Sequence, residues 1–167
     1  MSLSLSPRTI RWLKAADWSE DYAWALGPIL DAELHRLMHA PNAAALTFLS
    51  RYGGLVWNRF NPYQPNAGTA MCHTDALTAA ARSSPGWCEA GAELAGSRLC
   101  PIGEVGYGHY LVAMDEQGHV FGMDDLLAWK GFGDSGEEFL ESLATDWATE
   151  ETGQRITAAA RRKAQPQ

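Results

Sequence analysis

The 167 residues carry 46% apolar and 20% charged side chains, a balance that excludes general disorder and supplies one core of ordinary size without disulfides or metal. No apolar run approaches the roughly eighteen residues of a membrane span, and residues 1–14 lack an apolar segment followed by a small-residue cleavage site. The net charge of −7 conceals a split: residues 1–100 hold eight basic and eight acidic side chains, residues 101–152 one and twelve, and residues 153–167 four and none.

A field of that sign over the middle block repels nucleic acid and anionic membranes and draws basic proteins, speeding encounter more than it adds affinity. The plainer alternative is a solvated face that only keeps the chain soluble. Cys72, Cys88 and Cys100 are an odd set without Cys-x-x-Cys spacing. They suit reduced thiols, so a soluble cytoplasmic protein is expected.

Thr9–Ala16 reads as a short helix with Ile10, Trp12 and Leu13 turned inward, broken at Asp17-Trp18-Ser19. From Leu26 to Met38, the residues Leu26, Ile29, Leu30, Leu34 and Leu37 recur at helical spacing and predict one buried stripe. A third helix over about Asn42–Tyr52 packs Ala45, Phe48, Leu49 and Tyr52, and Gly53-Gly54 supplies the left-handed residue that ends it. The period then shortens. Leu55–Phe60 alternates as a strand, Asn61–Gly68 is a loop by its Pro, Asn and Gly content, and Thr69–Thr74 suits a second strand.

Ala76–Arg82 and Trp87–Ala95 each suit a helix, the latter entered through Ser84-Pro85 and left at Gly96. Leu99–Gly103 reads as a strand. Tyr107–Met114 and His119–Met123 pair around Asp115-Glu116-Gln117-Gly118, where Gly118 provides a positive φ. Phe139, Leu140, Leu143, Ala144 and Trp147 line one side of a last helix, with Glu138 and Glu141 opposite. From about Glu150 the chain is polar, a frayed helix or a disordered tail. There is no internal repeat and no linker, so residues 1–149 are expected to be one domain and 150–167 a tail.

Candidate chemistry is sparse. Gly133-Asp134-Ser135-Gly136 is similar to a serine-protease nucleophile segment, but Ser135-Gly136-Glu137-Glu138 also fits a capping box, which explains both Ser135 and Glu138. Asp31, His35 and His39 fall at i, i+4 and i+8 on one ridge, a possible divalent-metal set; an acid near a helix start and imidazoles near its end are equally what the macrodipole favours. Cys72-His73 with Cys88 and Cys100 lacks paired ligands at close spacing, and Asp124-Asp125 lacks the alternating oxygens of a calcium loop. No catalytic residue, metal or cofactor is assigned. Aromatics beside the acidic block, Tyr107, Tyr110 and Trp129 among them, are candidate interface anchors.

Several segments in order carry a resemblance: Phe48-Leu49-x-x-Tyr52-Gly53-Gly54-Leu55, preceded by Ala15-Ala16-Asp17-Trp18; Leu99-x-Pro101-Ile102-Gly103-Glu104; Met114-Asp115-Glu116-x-Gly118-x-Val120-Phe121; and Gly133-Asp134-Ser135 leading into Glu138-Phe139-Leu140-x-x-Leu143. Across about residues 9–147 the chain resembles the third immunity-protein family of the SUKH superfamily. Ala16-Asp17 stands where the family usually has alanine-glycine, and Thr74-Asp75-Ala76 where it has an aspartate-proline pair.

The resemblance implies a single-domain α+β fold, a mainly antiparallel sheet flanked by helices, with no catalytic residues. It also implies a cytoplasmic immunity protein that binds and neutralises a cognate polymorphic toxin, commonly a nuclease or nucleic-acid deaminase; a SUKH-like interaction adaptor without a toxin partner is the alternative. The expected contact surface spans residues 104–134, with Glu104, Asp115, Glu116, Asp124, Asp125 and Asp134 meeting basic side chains and Tyr107, Tyr110 and Trp129 as anchors. Gly53, Gly54, Gly103 and Gly118 are assigned to backbone geometry.

Overall fold

The computed structural model of the chain describes residues 5–57 and 72–146. Six helices, α1 (Pro7–Lys14), α2 (Leu30–Arg36), α3 (Ala43–Tyr52), α4 (Ala76–Arg82), α5 (Pro85–Ala95) and α6 (Gly136–Asp146), accompany six strands. The strands are β1 (Val56–Trp57), β2 (Cys72–His73), β3 (Cys100–Val105), β4 (Tyr110–Met114), β5 (Val120–Met123) and β6 (Trp129–Gly133). They form one antiparallel sheet in chain order, β1 to β6. The fold is therefore α+β, as the sequence leads one to expect. The anticipated strand end at 58–60, loop at 61–68, strand start at 69–71, Trp147 and the tail lie outside the described residues.

The core is divided by the sheet. Along β4, Val112 and Met114 join the main cluster with Leu13, Phe48, Leu49, Tyr52, Ile102, Val120, Phe139, Leu140 and Leu143. Their neighbours Leu111 and Ala113 join a smaller cluster with Ala79, Cys88, Leu99 and Met123. The two-residue period of a strand produces this separation, and a strand covered on both faces reads as a continuous apolar run, which Leu111-Val112-Ala113-Met114 does.

Local chemistry fixes the helix ends. Ser6 caps α1, Asn42 caps α3 and Asp75 caps α4 through side-chain oxygens that accept helix N–H groups. Asn42, buried, also donates from its amide nitrogen to the Met114 carbonyl at 2.9 Å, so one side chain both starts α3 and fastens it to β4. After α3 the left-handed residue is Gly54, φ +73°. At Gly103 the need is for space, since a β-carbon there would lie 2.0 Å from the His73 carbonyl oxygen on the neighbouring strand.

Three features depart from the sequence reading. The helix predicted over Leu26–Met38 is broken into a 3-10 turn at Gly27–Ile29 followed by the shorter α2. The tighter winding rotates Leu26 and Ile29 off the stripe and leaves both exposed, while Leu30 and Leu34 remain buried. The strand expected from Tyr107 begins only at Tyr110, because Gly106, Tyr107 and Gly108 have φ of +68°, +60° and +86° and cannot continue a pleat. And β6, not foreseen, pairs along β5 with a register shift between Val120 and Phe121.

A carboxylate joins the two ends of the fold. Glu141 of α6 accepts from both the backbone N–H and the hydroxyl of Ser6, the N-cap of α1. Partial burial pushes its pKa up, but the Ser6 N–H and the hydroxyls of Thr9 and Ser6 together outweigh burial and hold it below the usual glutamate value. A carboxyl depressed on folding contributes stability that is fully present above its unfolded pKa and is lost as pH falls through the folded value. Glu141→Gln should therefore destabilise the protein by about 1–3 kcal/mol at neutral pH, with a smaller cost at acid pH, as read by urea denaturation across the acid range.

Candidate functional site

Antiparallel register sorts the sheet's turns to two ends. Leu111 pairs with Met123 and Met123 with Trp129, so the β3–β4 and β5–β6 turns lie together at one end. Met114 pairs with Val120 and Val120 with Gly133, placing the β4–β5 turn and the step into α6 at the other. Of the nine residues expected to form one contact surface, Glu104, Tyr107, Tyr110, Asp124, Asp125 and Trp129 belong to the first end. Asp115, Glu116 and Asp134 belong to the second, roughly 15 Å away along the strands.

The acids also differ in what they already do. Glu104 is buried, and its Oε2 accepts from Arg82 Nη1 at 2.9 Å and from His73 Nε2 at 3.0 Å. His73 Nδ1 accepts from the Asp75 N–H, so Nε2 carries the proton it donates. Asp115, 1% exposed, shapes the β4–β5 turn: Oδ1 accepts from the Gln117 and His119 N–H groups and Oδ2 from His119 Nδ1 at 2.8 Å. Both carboxylates are largely buried and engaged within the fold, so neither projects as the exposed acid expected of it. Glu116, exposed, takes Arg98 Nη2 at 2.6 Å, and Asp134, exposed, donates its N–H to the Glu138 carboxylate.

At the first end, Asp124 closes the β5–β6 turn. Its Oδ1 accepts from the Leu126 and Ala128 N–H groups at 3.0 and 3.1 Å, and its Oδ2 from Lys130 Nζ at 2.6 Å. The Lys130 hydrogen bond is the main reason that its pKa lies below the usual aspartate value. Asp125 is open to solvent and meets His109 Nδ1 of the neighbouring turn at 2.7 Å. Beyond it, Leu126 and Leu127 project 87% and 56% exposed, Leu127 with φ +60°. That conformation costs an L-residue roughly 1–2 kcal/mol. A groove of about 240 Å³ runs beside this tip, lined by Arg82, Trp87, Glu104, His109, Asp125 and Leu127 among others.

The aromatic candidates are anchored from within. Tyr107 and Tyr110 are half-buried against the main core, with the Tyr110 ring 5.3 Å from Phe132, and Trp129 donates its indole N–H to the Trp87 carbonyl of α5 at 3.0 Å. Sequence reasoning missed His73, Arg82, His109 and the Leu126–Leu127 pair. Arg82 and His73 reach Glu104 only through non-local packing; the leucines carry a signal, two apolar residues after Asp-Asp, that becomes legible once Trp129–Gly133 is read as a strand.

The other constellations resolve into structure. Ser135 Oγ accepts the Glu138 N–H and the Glu138 carboxylate accepts the Asp134 N–H, so the capping box forms, its return bond one residue early. His39 leaves the ridge of Asp31 and His35, because Met38 turns left-handed after α2; it is buried against the Ala80 carbonyl, and burial lowers its pKa. Cys72, Cys88 and Cys100 are free and buried, with burial pushing Cys88 and Cys100 up to about 12. Among the described residues, no group of three or more His, Cys, Asp or Glu is placed to hold a metal, and no helix is long and apolar enough to cross a membrane.

A model of the SUKH-3 immunity protein family matches residues 5–146. The chain belongs to that family. The match runs from the residue before the N-cap of α1 to the end of α6, so it includes every element just described. No curated protein and no solved structure matches the chain.

The different burial of two neighbouring acids in this SUKH-3 protein gives a direct check. Asp115→Ala strips three acceptor contacts from the β4–β5 turn and should cost about 2–4 kcal/mol. Glu116→Ala removes an exposed ion pair with Arg98 and a long hydrogen bond from the Ser97 hydroxyl, and should change stability by no more than about 1 kcal/mol. Chemical denaturation of the two variants beside the wild type separates them.

Proposed function

We propose that this protein neutralises a cognate polymorphic toxin by direct, non-enzymatic protein contact, and that the toxin is a nuclease or nucleic-acid deaminase with a basic substrate cleft. Membership of an immunity-protein family carries the reading. The charge distribution supports the choice of toxin class, because a domain that grips nucleic acid presents Lys and Arg to phosphates, and residues 101–152 hold twelve acids against one base. An inhibitor with that bias is steered into such a cleft and excludes the nucleic acid from it.

The geometry narrows the contact set. Glu104 and Asp115 hold the fold together, Asp124 holds a turn, and Tyr110 and Trp129 hold neighbouring elements. Asp125, with the Tyr107 turn beside it, is the acid best placed to meet a partner at the first sheet end; Glu116 and Asp134 offer negative charge at the second. A toxin cleft that engages the first end contacts Asp125 directly and feels the other two only as field.

Binding should be read by calorimetry for affinity and by surface plasmon resonance for rates, with a catalytically dead form of any toxin domain encoded beside this gene, at low and at high salt. Asp125→Lys is expected to weaken binding by about tenfold at low salt and to flatten its salt dependence. Glu116→Lys should slow association with little effect on dissociation. Full affinity of both variants would remove the acidic surface from the mechanism, and a wild-type protein that ignores the toxin and captures only housekeeping proteins would favour an adaptor role.

A further inference from the structure

Four non-glycine residues in the described chain adopt left-handed backbone, and two of them, Tyr107 and Leu127, occupy neighbouring hairpin tips at the same sheet end. Their side chains go opposite ways. Tyr107 turns in against the main core, whereas Leu127 and its neighbour Leu126 are left in water. Left-handed leucine is a conformation that glycine or asparagine satisfies without strain, and such outliers cluster at binding and switch sites. Neither Leu126 nor Leu127 joins the two core clusters, and Leu127 only edges the groove beside the tip.

The tip is rigid. Asp124 ties down the Leu126 and Ala128 N–H groups with one oxygen and Lys130 with the other. The backbone adds two more bonds, from Leu127 N–H to the Asp124 carbonyl at 2.9 Å and from Asp124 N–H to the Ala128 carbonyl at 3.1 Å. Two leucines held out on a braced turn lose little conformational freedom when a partner covers them, which is the condition under which apolar burial appears as affinity.

Resting on the immunity reading above, we infer that the Leu126–Leu127 tip is the apolar anchor of the toxin interface, entering an apolar pocket whose rim carries the toxin's basic side chains. Asp125, exposed and next in sequence, meets that rim. The groove beside the tip receives whatever the toxin places next to its pocket. Charge selects this occupant over others. A second copy docked tip to tip would bring Asp125 against Asp125, and an anionic membrane is repelled by the excess of twelve acids over one base across residues 101–152.

The test uses the full chain and the inactive toxin domain encoded beside its gene, titrated by calorimetry against wild type, Leu126→Ser and Leu127→Gly, with melting temperatures recorded for each. Both variants should bind at least tenfold more weakly. Leu127→Gly should meanwhile melt no lower than wild type, since glycine accepts the left-handed backbone; a residue retained for folding could not give that combination. Wild-type binding with tip variants inside twofold of it overturns the anchor and leaves the immunity reading standing. Absence of wild-type binding removes both. A photocrosslinker at position 126 that captures a second copy of this chain, or tip-dependent sedimentation with phosphatidylcholine–phosphatidylglycerol vesicles, also overturns the assignment.

Discussion

Val112 and Met114 face one helical layer while Leu111 and Ala113 face the other, so the middle of the sheet has no side open to water. That constraint limits where a partner can dock. An antiparallel sheet with one wet face can present side chains across several strands as a flat platform. Here α1, α2, α3 and α6 pack on one side and α5 on the other, while α4 gives Ala76 and Ala80 to the first and Ala79 to the second. Among the described residues, the surfaces left for a partner are the helix backs, the open edges of β1 and β6 and the two ends where strands turn, and the turns combine close spacing between distant residues with a hydrogen-bonded backbone.

The same burial explains how little of the negative charge is available for binding. A carboxylate near a covered sheet must be paired or hydrogen-bonded, and Glu104 and Asp115 meet that requirement with an Arg–His pair and a turn of backbone N–H groups. Glu138 and Glu141 are drawn into helix ends, one capping its own helix and the other a neighbour's. Net charge counts all of these equally. Long-range steering does respond to the total, but short-range pairing with a toxin requires acids whose lone pairs still face solvent, and that is a much shorter list.

Local signals were legible and non-local ones were not. Gly53-Gly54 after an apolar helical stripe, Ser135 three residues ahead of Glu138, and Pro85 with Gly96 bracketing α5 each state their structure within a few residues, and each is found where the residues place it. The Leu26–Met38 stripe misled because periodicity says nothing of winding: Gly27-Pro28 favours a 3-10 turn that leaves the apolar spacing intact in sequence but broken in space. β6 escaped because Trp129-Lys130-Gly131-Phe132-Gly133 carries two glycines and one apolar alternation, a weak strand that exists by pairing with β5. The burial of Glu104 could not be read at all, since His73 lies 31 residues away and is brought opposite only by the register of β2 on β3.

Those misses bear on function more than the successes do. Once β6 is in place, Asp124–Ala128 stops being a stretch of acidic loop and becomes a four-bonded hairpin tip, and the two aspartates separate in role: one braces the backbone, the other faces out. An interface built this way divides the physical work. Exposed carboxylates act over several ångströms, raising the encounter rate and fading with salt, while the leucines act only at contact, through apolar area removed from water, and are insensitive to salt. A protein that must find its target quickly needs the first property, and one that must stay bound needs the second. The β5–β6 turn places both within four residues on a backbone already ordered.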